Sequence, residues 1–424
     1  MAGYFGTLVE YYDFTVYAFL VVIIGPLFFP SDTAAGSVLA TLAVFAVGYV
    51  ARPLGGILIG RLGDRRGRRS ALLLTVLGMG LATFLMGLLP TYSQVGVLAP
   101  LLLILVRLLQ GVSAGGEAIG AVTLAAESAW PGRRGLLSSL TPFGAGTGIA
   151  LAPAIVGLVT ALTSPEQLAS WGWRIPLLLS LPMTLVCLWF RLRLEDSPEF
   201  RSLVERAERV ASPVREVLSK HWPAIIRVTL VAVASNCVGY VLTSYVNVYL
   251  INWVGIDKGA VFWLSAIALA LALPTFVVSG LLIDRLGTRR VFLSGMAACC
   301  VLAVPAMLVM GSAGSLVVVT LAYWVVLIAN NLALPPAYSI YVESFPTAVR
   351  YTGAALSFNI GTIIGGGLTP WGSAQLATAT GSGLAPAVII VVAAAIGLVV
   401  TLTAPRYGTD HFAQAPADPT PSAT

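Results

Sequence analysis

Apolar residues run in long windows along this chain, separated by short polar connections. Windows of about 20 apolar residues, the length that crosses a bilayer as a helix, predict twelve spans. They fall at 4–28, 36–60, 70–90, 97–125, 136–162, 172–192, 223–251, 260–283, 290–312, 315–341, 350–377 and 384–404. The first span is too long for a cleaved leader, has no Lys or Arg before it and contains two carboxylates. One connection, 193–222, is long and alternates acid with base through Glu195, Asp196, Glu199, Arg201, Glu205, Arg206, Glu208 and Arg209. A solvated cytoplasmic helix is its simplest reading, and a partner-binding surface is the alternative. The expected organisation is a six-helix bundle at 4–192, a charged cytoplasmic linker at 193–222 and a second six-helix bundle at 223–404. The segment 405–424, marked by Pro416, Pro419 and Pro421, reads as a disordered cytoplasmic tail.

Composition narrows the class. Of 424 residues, 58% are apolar and 10% charged, with a mean hydropathy of +0.90. Soluble domains run about 45–50% apolar and about 25% charged, so a soluble enzyme, a disordered chain and a disulfide scaffold are all excluded. The net charge of +6 is spread over the ends of apolar runs, where it sets topology and implies no nucleic-acid partner. One set of connections holds Arg61, Arg65, Arg66, Arg68, Arg69, Arg133, Arg134, the run from Arg191 to Lys220, Arg285, Arg289, Arg290 and Arg350. The other holds only Arg174 and Lys258. That asymmetry predicts a multi-pass protein of the cell membrane with both termini in the cytoplasm. Trp171, Trp173, Trp253 and Trp222 are expected at the interfaces with the headgroups. The four cysteines, Cys187, Cys237, Cys299 and Cys300, read as small buried hydrophobes. His221 and His411 lie outside the spans, so neither a metal site nor a cofactor is expected.

The chain also repeats. Gly60-x-Leu62-x-Asp64-Arg65-x-Gly67-x-Arg69 returns as Gly280-x-Leu282-x-Asp284-Arg285-x-Gly287-x-Arg289. Glu127 precedes Arg134 by seven residues, as Glu343 precedes Arg350. Both echoes fall at cytoplasmic ends. Two parallel halves around a central site are the plan of an alternating-access transporter.

At these residues the chain resembles the major facilitator superfamily, whose signature loop between spans two and three is similar to GRLGDRRGRR (Gly60–Arg69). GTLVEYYDFTVYAF (Gly6–Phe19), RLLQGVSAGGE (Arg107–Glu117) and ESFPTAVRYTG (Glu343–Gly353) resemble its metabolite:proton symporter branch. The resemblance covers about residues 4–404. It implies an all-α fold of twelve transmembrane helices in two six-helix pseudo-repeats, working as a monomer. It implies proton-driven uptake of a small polar organic solute, either a carboxylate metabolite or a zwitterionic osmolyte. Tyr240–Leu250 and Phe358–Pro370 look closer to the osmolyte members. The chain lacks the long C-terminal coiled coil of one such member. It begins close to its first span, so either its start lies upstream or its leading tail is short.

Charge within a bilayer is expensive and marks function. Five ionisable residues lie at depth, more than five residues from either end of a span, and all are in the first half: Glu10, Asp13, Arg52, Arg107 and Glu117. Glu10 and Asp13, three apart, are expected on one helix face. Arg107 enters span four to a depth similar to that of Asp13, so these two are expected partners. A carboxylate whose arginine comes and goes can load and release a proton. Asp13, Glu10 or both are candidates for that role, with Arg107 as counter-charge or anion anchor. The alternative is a permanent ion pair joining spans one and four. Glu117 reads either as an inner proton relay or as the partner of Arg52. Gly111, Gly115 and Gly116 read as close packing.

Asp64, Arg65 and Arg68, with Gly60 and Gly67 in the same loop, read as a cytoplasmic latch together with Arg52, Glu127, Arg134, Asp284, Arg285, Glu343 and Arg350. Its charges would pair when the inner side is closed. The C-terminal half offers neutral polar faces for a solute: Asn236, Tyr240, Thr243 and Asn247 on span seven, Asn330, Asn331 and Tyr338 on span ten, and Asn359 on span eleven. Asp13, Tyr17, Arg107 and Gln110 are the facing candidates. Interhelical hydrogen bonding is the alternative for each of the neutral residues.

Three other functions would each leave a different mark on the sequence. An exporter would carry a Gly-Pro-x-x-Gly-Gly-type signature in span five, where this chain has only Ala152-Pro153-x-x-x-Gly157. A receptor would be attached to a signalling domain. An enzyme would need a nucleophile with its base, a metal cluster or a phosphate loop.

Overall fold

The computed structural model describes residues 2–56, 58–59, 68–115, 119, 122, 132–192, 213–312, 314–346 and 349–404. The described residues are helical with short turns and contain no strand. A chain this apolar has no water to satisfy its main-chain groups within a bilayer, so each span must bond to itself as a helix. The first six helices are α1 (Ala2–Phe28), α2 (Ala35–Gly56), α3 (Arg68–Leu88), α4 (Leu98–Ala114), α5 (Arg134–Leu162) and α6 (Pro165–Phe190). The next four are α7 (Trp222–Asn252), α8 (Lys258–Leu286), α9 (Thr288–Ser312) and α10 (Leu316–Glu343). α11 runs as Arg350–Thr362, passes through a π-helical turn at Ile363–Leu368 and ends as Thr369–Thr380, and α12 is Pro386–Thr403. Polar connections start new helices by capping. The Thr33 hydroxyl accepts from Gly36 N (3.1 Å) before α2, and Asp257 accepts from Ala260 N (3.1 Å) before α8. The linker of 193–212 and the tail of 405–424 lie outside the described residues, and Pro213–Lys220 is a short helix.

Outward faces are apolar and exposed, as with Leu101, Leu105 and Leu109 on α4 and Val388, Val392 and Val399 on α12. Such a belt suits lipid rather than water. Trp171, Trp253 and Trp222 are exposed as expected of interface residues. Trp173 is not: it is buried against Phe28, ring edge to ring face at 5.6 Å. It directly follows the π-helical turn Leu168–Gly172.

Glycines set how near the helices approach. A methyl group on Gly111 would lie 1.9 Å from the Gly48 carbonyl oxygen, one on Gly115 2.1 Å from that of Arg52, and one on Gly55 1.9 Å from that of Val112. α2 and α4 therefore pack main chain to main chain, the small-residue rule for membrane helices. Two seams join the halves of the chain. Along α5 and α8, Gly135 faces Gly280, Gly146 faces Phe276 and Gly157 faces Phe262. Along α2 and α11, Tyr49 lies on Gly366 and Gly367.

Replacing Gly111 by Leu forces α2 and α4 apart and is expected to cost about 1–3 kcal/mol or more. Gly372, with open space around its Cβ position, should accept Ala with no loss. Thermal melting in detergent checks the contrast; equal effects of the two substitutions would refute the packing account.

Candidate functional site

The centre of the first half is a zipper of three rungs. Glu10, Phe14 and Tyr17 on α1, and Phe45, Tyr49 and Arg52 on α2, each follow i, i+4, i+7 spacing and share one helix face. The helices run antiparallel, so the residues meet in reverse order. Arg52 Nη2 lies 3.9 Å from Glu10 Oε1. Phe14 and Tyr49 are 5.2 Å apart between ring centroids, and Tyr17 stacks on Phe45 at 6.1 Å. The Arg52 guanidinium also lies over Phe14 (4.2 Å) and Tyr49 (4.5 Å), so an ion pair and two aromatic faces together answer its charge.

Arg107 from α4 closes the other end of the zipper. Its guanidinium carbon sits 3.5 Å from the Tyr17 ring centre and 5.2 Å from that of Phe45. The residue has no exposed surface. Nη1 donates to Gln110 Oε1, while Nε and Nη2 have no hydrogen-bond partner. Tyr17 supports Arg107 with its ring and donates its hydroxyl to Thr41 O (3.0 Å).

The expected pair of Asp13 with Arg107 is not formed. Asp13 is fully buried, and neither carboxylate oxygen has a hydrogen-bond partner. Three residues advance a helix by about 300°, which turns Asp13 past the face of Glu10 and into the gap between α3 and α6. There the hydroxyls of Thr83 and Ser180 lie beside it. Thr83 donates to Met79 O (3.1 Å) and Ser180 to Gly80 O (3.3 Å). Glu10 and Asp13 thus serve different environments, contrary to the shared face expected of them.

The neutral candidates of the second half divide into two groups. Three reach across to the first half. Tyr240 is hydrogen-bonded to Tyr49, Tyr338 to Tyr11 (2.8 Å), and Asn359 Nδ2 donates to Gly115 O (3.0 Å). The others are tied within their own half. Asn247 accepts from Ser265 Oγ (2.7 Å), Asn331 donates to Ala272 O (3.2 Å), and Asn236 and Thr243 bond to carbonyls one turn back on α7. Asn330 donates to Asn331 Oδ1 (3.3 Å) and keeps a buried Oδ1 without a partner. π-helical turns interrupt α7 at Val241–Tyr245 and α11 at Ile363–Leu368, flanking the Tyr49–Tyr240 contact. Such turns recur at functional positions.

Toward the arginine-rich side, a cavity lined by Arg52, Gly115, Ile119, Phe358 and Asn359 has room for about one water molecule, too little for a solute. On the opposite side Phe19 meets Phe262 edge-on at 6.2 Å.

The latch differs from its expected form. Asp284, at the end of α8, accepts from the main-chain nitrogens of Gly135 (2.7 Å) and Leu136 (3.1 Å) at the start of α5. Among the described residues its hydrogen-bond partner is therefore a helix N-terminus of the other half. Unpaired N–H groups and the positive end of the helix dipole make that a natural carboxylate site. Glu343 lies beside Arg134 across the seam, beside Arg350 on its own side, and against the Thr288 hydroxyl. Arg350 is buried and donates from Nε to Phe345 O (3.3 Å). Arg285 is exposed. Arg52, expected with the latch, belongs to the central zipper. Gly60, Asp64, Arg65, Gly67, Glu117 and Glu127 lie outside the described residues, as does the side chain of Arg68.

Sequence reasoning missed Tyr11, Phe14, Phe45 and Tyr49. For the last three the signal was the common i, i+4, i+7 spacing of 10/14/17 and 45/49/52.

Comparison with known proteins agrees with this architecture. The Major Facilitator Superfamily profile matches residues 3–370. The shikimate transporter of Escherichia coli (strain K12) is 33% identical over 381 residues, covering 89% of this chain and 87% of that protein. The ectoine/proline transporter of Corynebacterium glutamicum is 35% identical over 419 residues, covering 94% and 81%. The proline/betaine transporter of E. coli (strain K12) is 33% identical over 412 residues, covering 95% and 82%. The crystal structure of a D-xylose-proton symporter shares the fold, with a TM-score of 0.75 at 16% identity over 95% of each chain.

Asp284→Ala removes the cap from α5 and should weaken the seam by about 1 kcal/mol, roughly fivefold in the open population. With the native cysteines replaced, a cysteine substituted for Ser139, which packs against Gly280, should react correspondingly faster with a thiol reagent. An unchanged rate would mean that Asp284 does not hold the seam.

Proposed function

The chain belongs to the major facilitator superfamily and is a secondary active transporter importing a small organic solute, not an enzyme; from that premise we propose how its charges do the work. The solute carries a carboxylate, which binds Arg107. A proton carried on Asp13 enters with it. Shikimate, proline and betaine, for which the relatives are named, all bear a carboxylate, as either an acid or a zwitterion. The observation that carries this reading is the Arg107 guanidinium, buried on Tyr17 with Nε and Nη2 lacking partners. A bidentate carboxylate would supply what those nitrogens lack. Tyr240, Tyr338 and Asn330 from the second half would hold the rest of the solute by neutral contacts. Glu10 and Arg52 answer each other and act as a standing pair.

A bare carboxylate at the position of Asp13 would cost several kcal/mol. The side chain therefore carries a proton or takes a cationic partner, and switching between these alternatives couples the proton to transport. Access alternates as the two seams open in turn, with Asp284 on α5 and Glu343 beside Arg134 holding the arginine-rich side shut. That side faces the cytoplasm, as do both chain ends, by the distribution of Lys and Arg. The pathway lies between two halves of one chain, so a monomer suffices.

Uptake into proteoliposomes tests the reading, with proline, glycine betaine and shikimate as solutes, an imposed pH gradient, and a protonophore control. Accumulation should require the gradient. Arg107→Met should raise KM by about 30-fold, the worth of about 2 kcal/mol for hydrogen bonds to a charge. Asp13→Asn should abolish accumulation while solute exchange survives. Accumulation indifferent to pH and voltage, or full accumulation by both Asp13→Asn and Glu10→Gln, would overturn the assignment.

A further inference from the structure

One neutral side chain stands between the unpartnered acid and the under-partnered cation. Gln110 lies on α4 one turn beyond Arg107 and has no exposed surface. Its Oε1 accepts from Arg107 Nη1. Its Nε2 donates to Thr83 Oγ1 (2.8 Å) and to the main-chain oxygen of Asp13 (3.2 Å). The amide thus turns its acceptor to the cation and its donors toward the acid's helix. Meanwhile Arg107 Nε and Nη2, and both carboxylate oxygens of Asp13, go without hydrogen bonds. A direct guanidinium–carboxylate pair is the strongest contact these groups could make, and the amide occupies the way to it.

We propose that Gln110 is a spacer that holds Arg107 off Asp13 while the pocket is closed and yields when the solute leaves, so that solute and proton are linked through one amide. This rests on the proton-coupling reading of Asp13. With the solute's carboxylate on Arg107, the cation is satisfied and Asp13 keeps its proton as a neutral acid. When the solute departs toward the cytoplasm, Arg107 turns from Gln110 to Asp13. The O–H bond of the acid breaks, its proton passes to water, and the carboxylate pairs with Arg107. Return to the outer side reverses these steps.

The surroundings suit a switch with few competitors. The groups facing Asp13 from neighbouring helices are Thr83 of α3, Ser180 of α6 and Gln110 of α4, all neutral. Tyr12 adjoins it on its own helix and donates to Pro176 O (2.7 Å). Glu10 and Arg52 compensate each other on the next face of α1. The cation reached through Gln110 is Arg107. Gln110 therefore acts as a positioning residue, working through its two neighbours.

The test separates coupling from binding and from folding. In proteoliposomes, with the best-transported of proline, glycine betaine and shikimate as probe, Gln110→Leu removes both polar ends at similar volume. Accumulation driven by an imposed pH gradient should fall at least about tenfold, and by a larger factor than counterflow measured at equal pH and saturating solute. The pH dependence of counterflow should flatten, because Arg107 collapses onto Asp13. Gln110→Asn, one methylene too short to span both partners, should give the same change at smaller size, and serves if the Leu variant does not fold. The double variant Asp13→Asn/Gln110→Leu should behave as Asp13→Asn alone, since the spacer then has no acid to guard.

Equal loss of accumulation and counterflow in the folded variants would make Gln110 merely structural and overturn the proposal. So would full accumulation by Gln110→Leu beside a defective Asp13→Asn. Full accumulation by Asp13→Asn would instead overturn the coupling reading on which the proposal stands.

Discussion

A charge carried into the bilayer must be answered by another charge, by hydrogen bonds, or by a proton. The centre of this protein is arranged around that requirement. Arg52 is answered twice, by Glu10 and by the faces of Phe14 and Tyr49. Arg107 is answered in part, by the Tyr17 ring and one bond to Gln110. Asp13 has no hydrogen bond to its carboxylate. The three sites form a gradient from a closed account to an open one, and the proposed mechanism puts transport chemistry at the open end. Residues whose charge is fully compensated hold helices together. Residues whose charge is not can exchange partners at small cost.

The packing makes such exchange effective. α2 and α4 touch through main chain at Gly48, Gly55, Gly111 and Gly115, which fixes Arg107 against the α2 side of the zipper. The joints between the halves add hydrogen bonds to glycine contacts such as Gly135 with Gly280. These bonds are few and run between side chains or from side chain to main chain, such as Tyr49 with Tyr240, Tyr11 with Tyr338, Asn359 with Gly115 and Asp284 with the start of α5. Rigid bodies joined by a few replaceable bonds can rock, because each bond lost can be replaced by water or by a solute. The π-helical turns in α7 and α11 adjoin the Tyr49–Tyr240 contact, where main-chain hydrogen bonding is already irregular.

Legibility varied from one residue to the next for physical reasons. The spans were plain because burial in lipid demands long apolar runs, and the six-and-six division followed from one charged connection. The isolation of Glu10, Asp13, Arg52 and Arg107 in apolar surroundings was equally plain. Their partners were not. Three positions along α1 looked like one face, yet the remaining angular offset carried Asp13 toward α3 and α6. Asp284 looked like the partner of an arginine, yet the start of α5 offered two main-chain donors. Asn247 and Asn331 looked like a solute-binding face but bond to Ser265 and to the Ala272 carbonyl.

The sequence by itself determined that this chain lives in a membrane, how often it crosses, that its halves repeat, and which side chains carry charge where charge is costly. Those properties depend on the solvent around each segment, and hydropathy records solvent directly. Only the tertiary structure decided which charge meets which. Pairing depends on helix rotation, on the approach distance that glycines allow, and on which neighbour arrives from far along the chain. No local pattern encodes these, and a rotation of a fraction of a turn is enough to give Glu10 a cation and leave Asp13 without one.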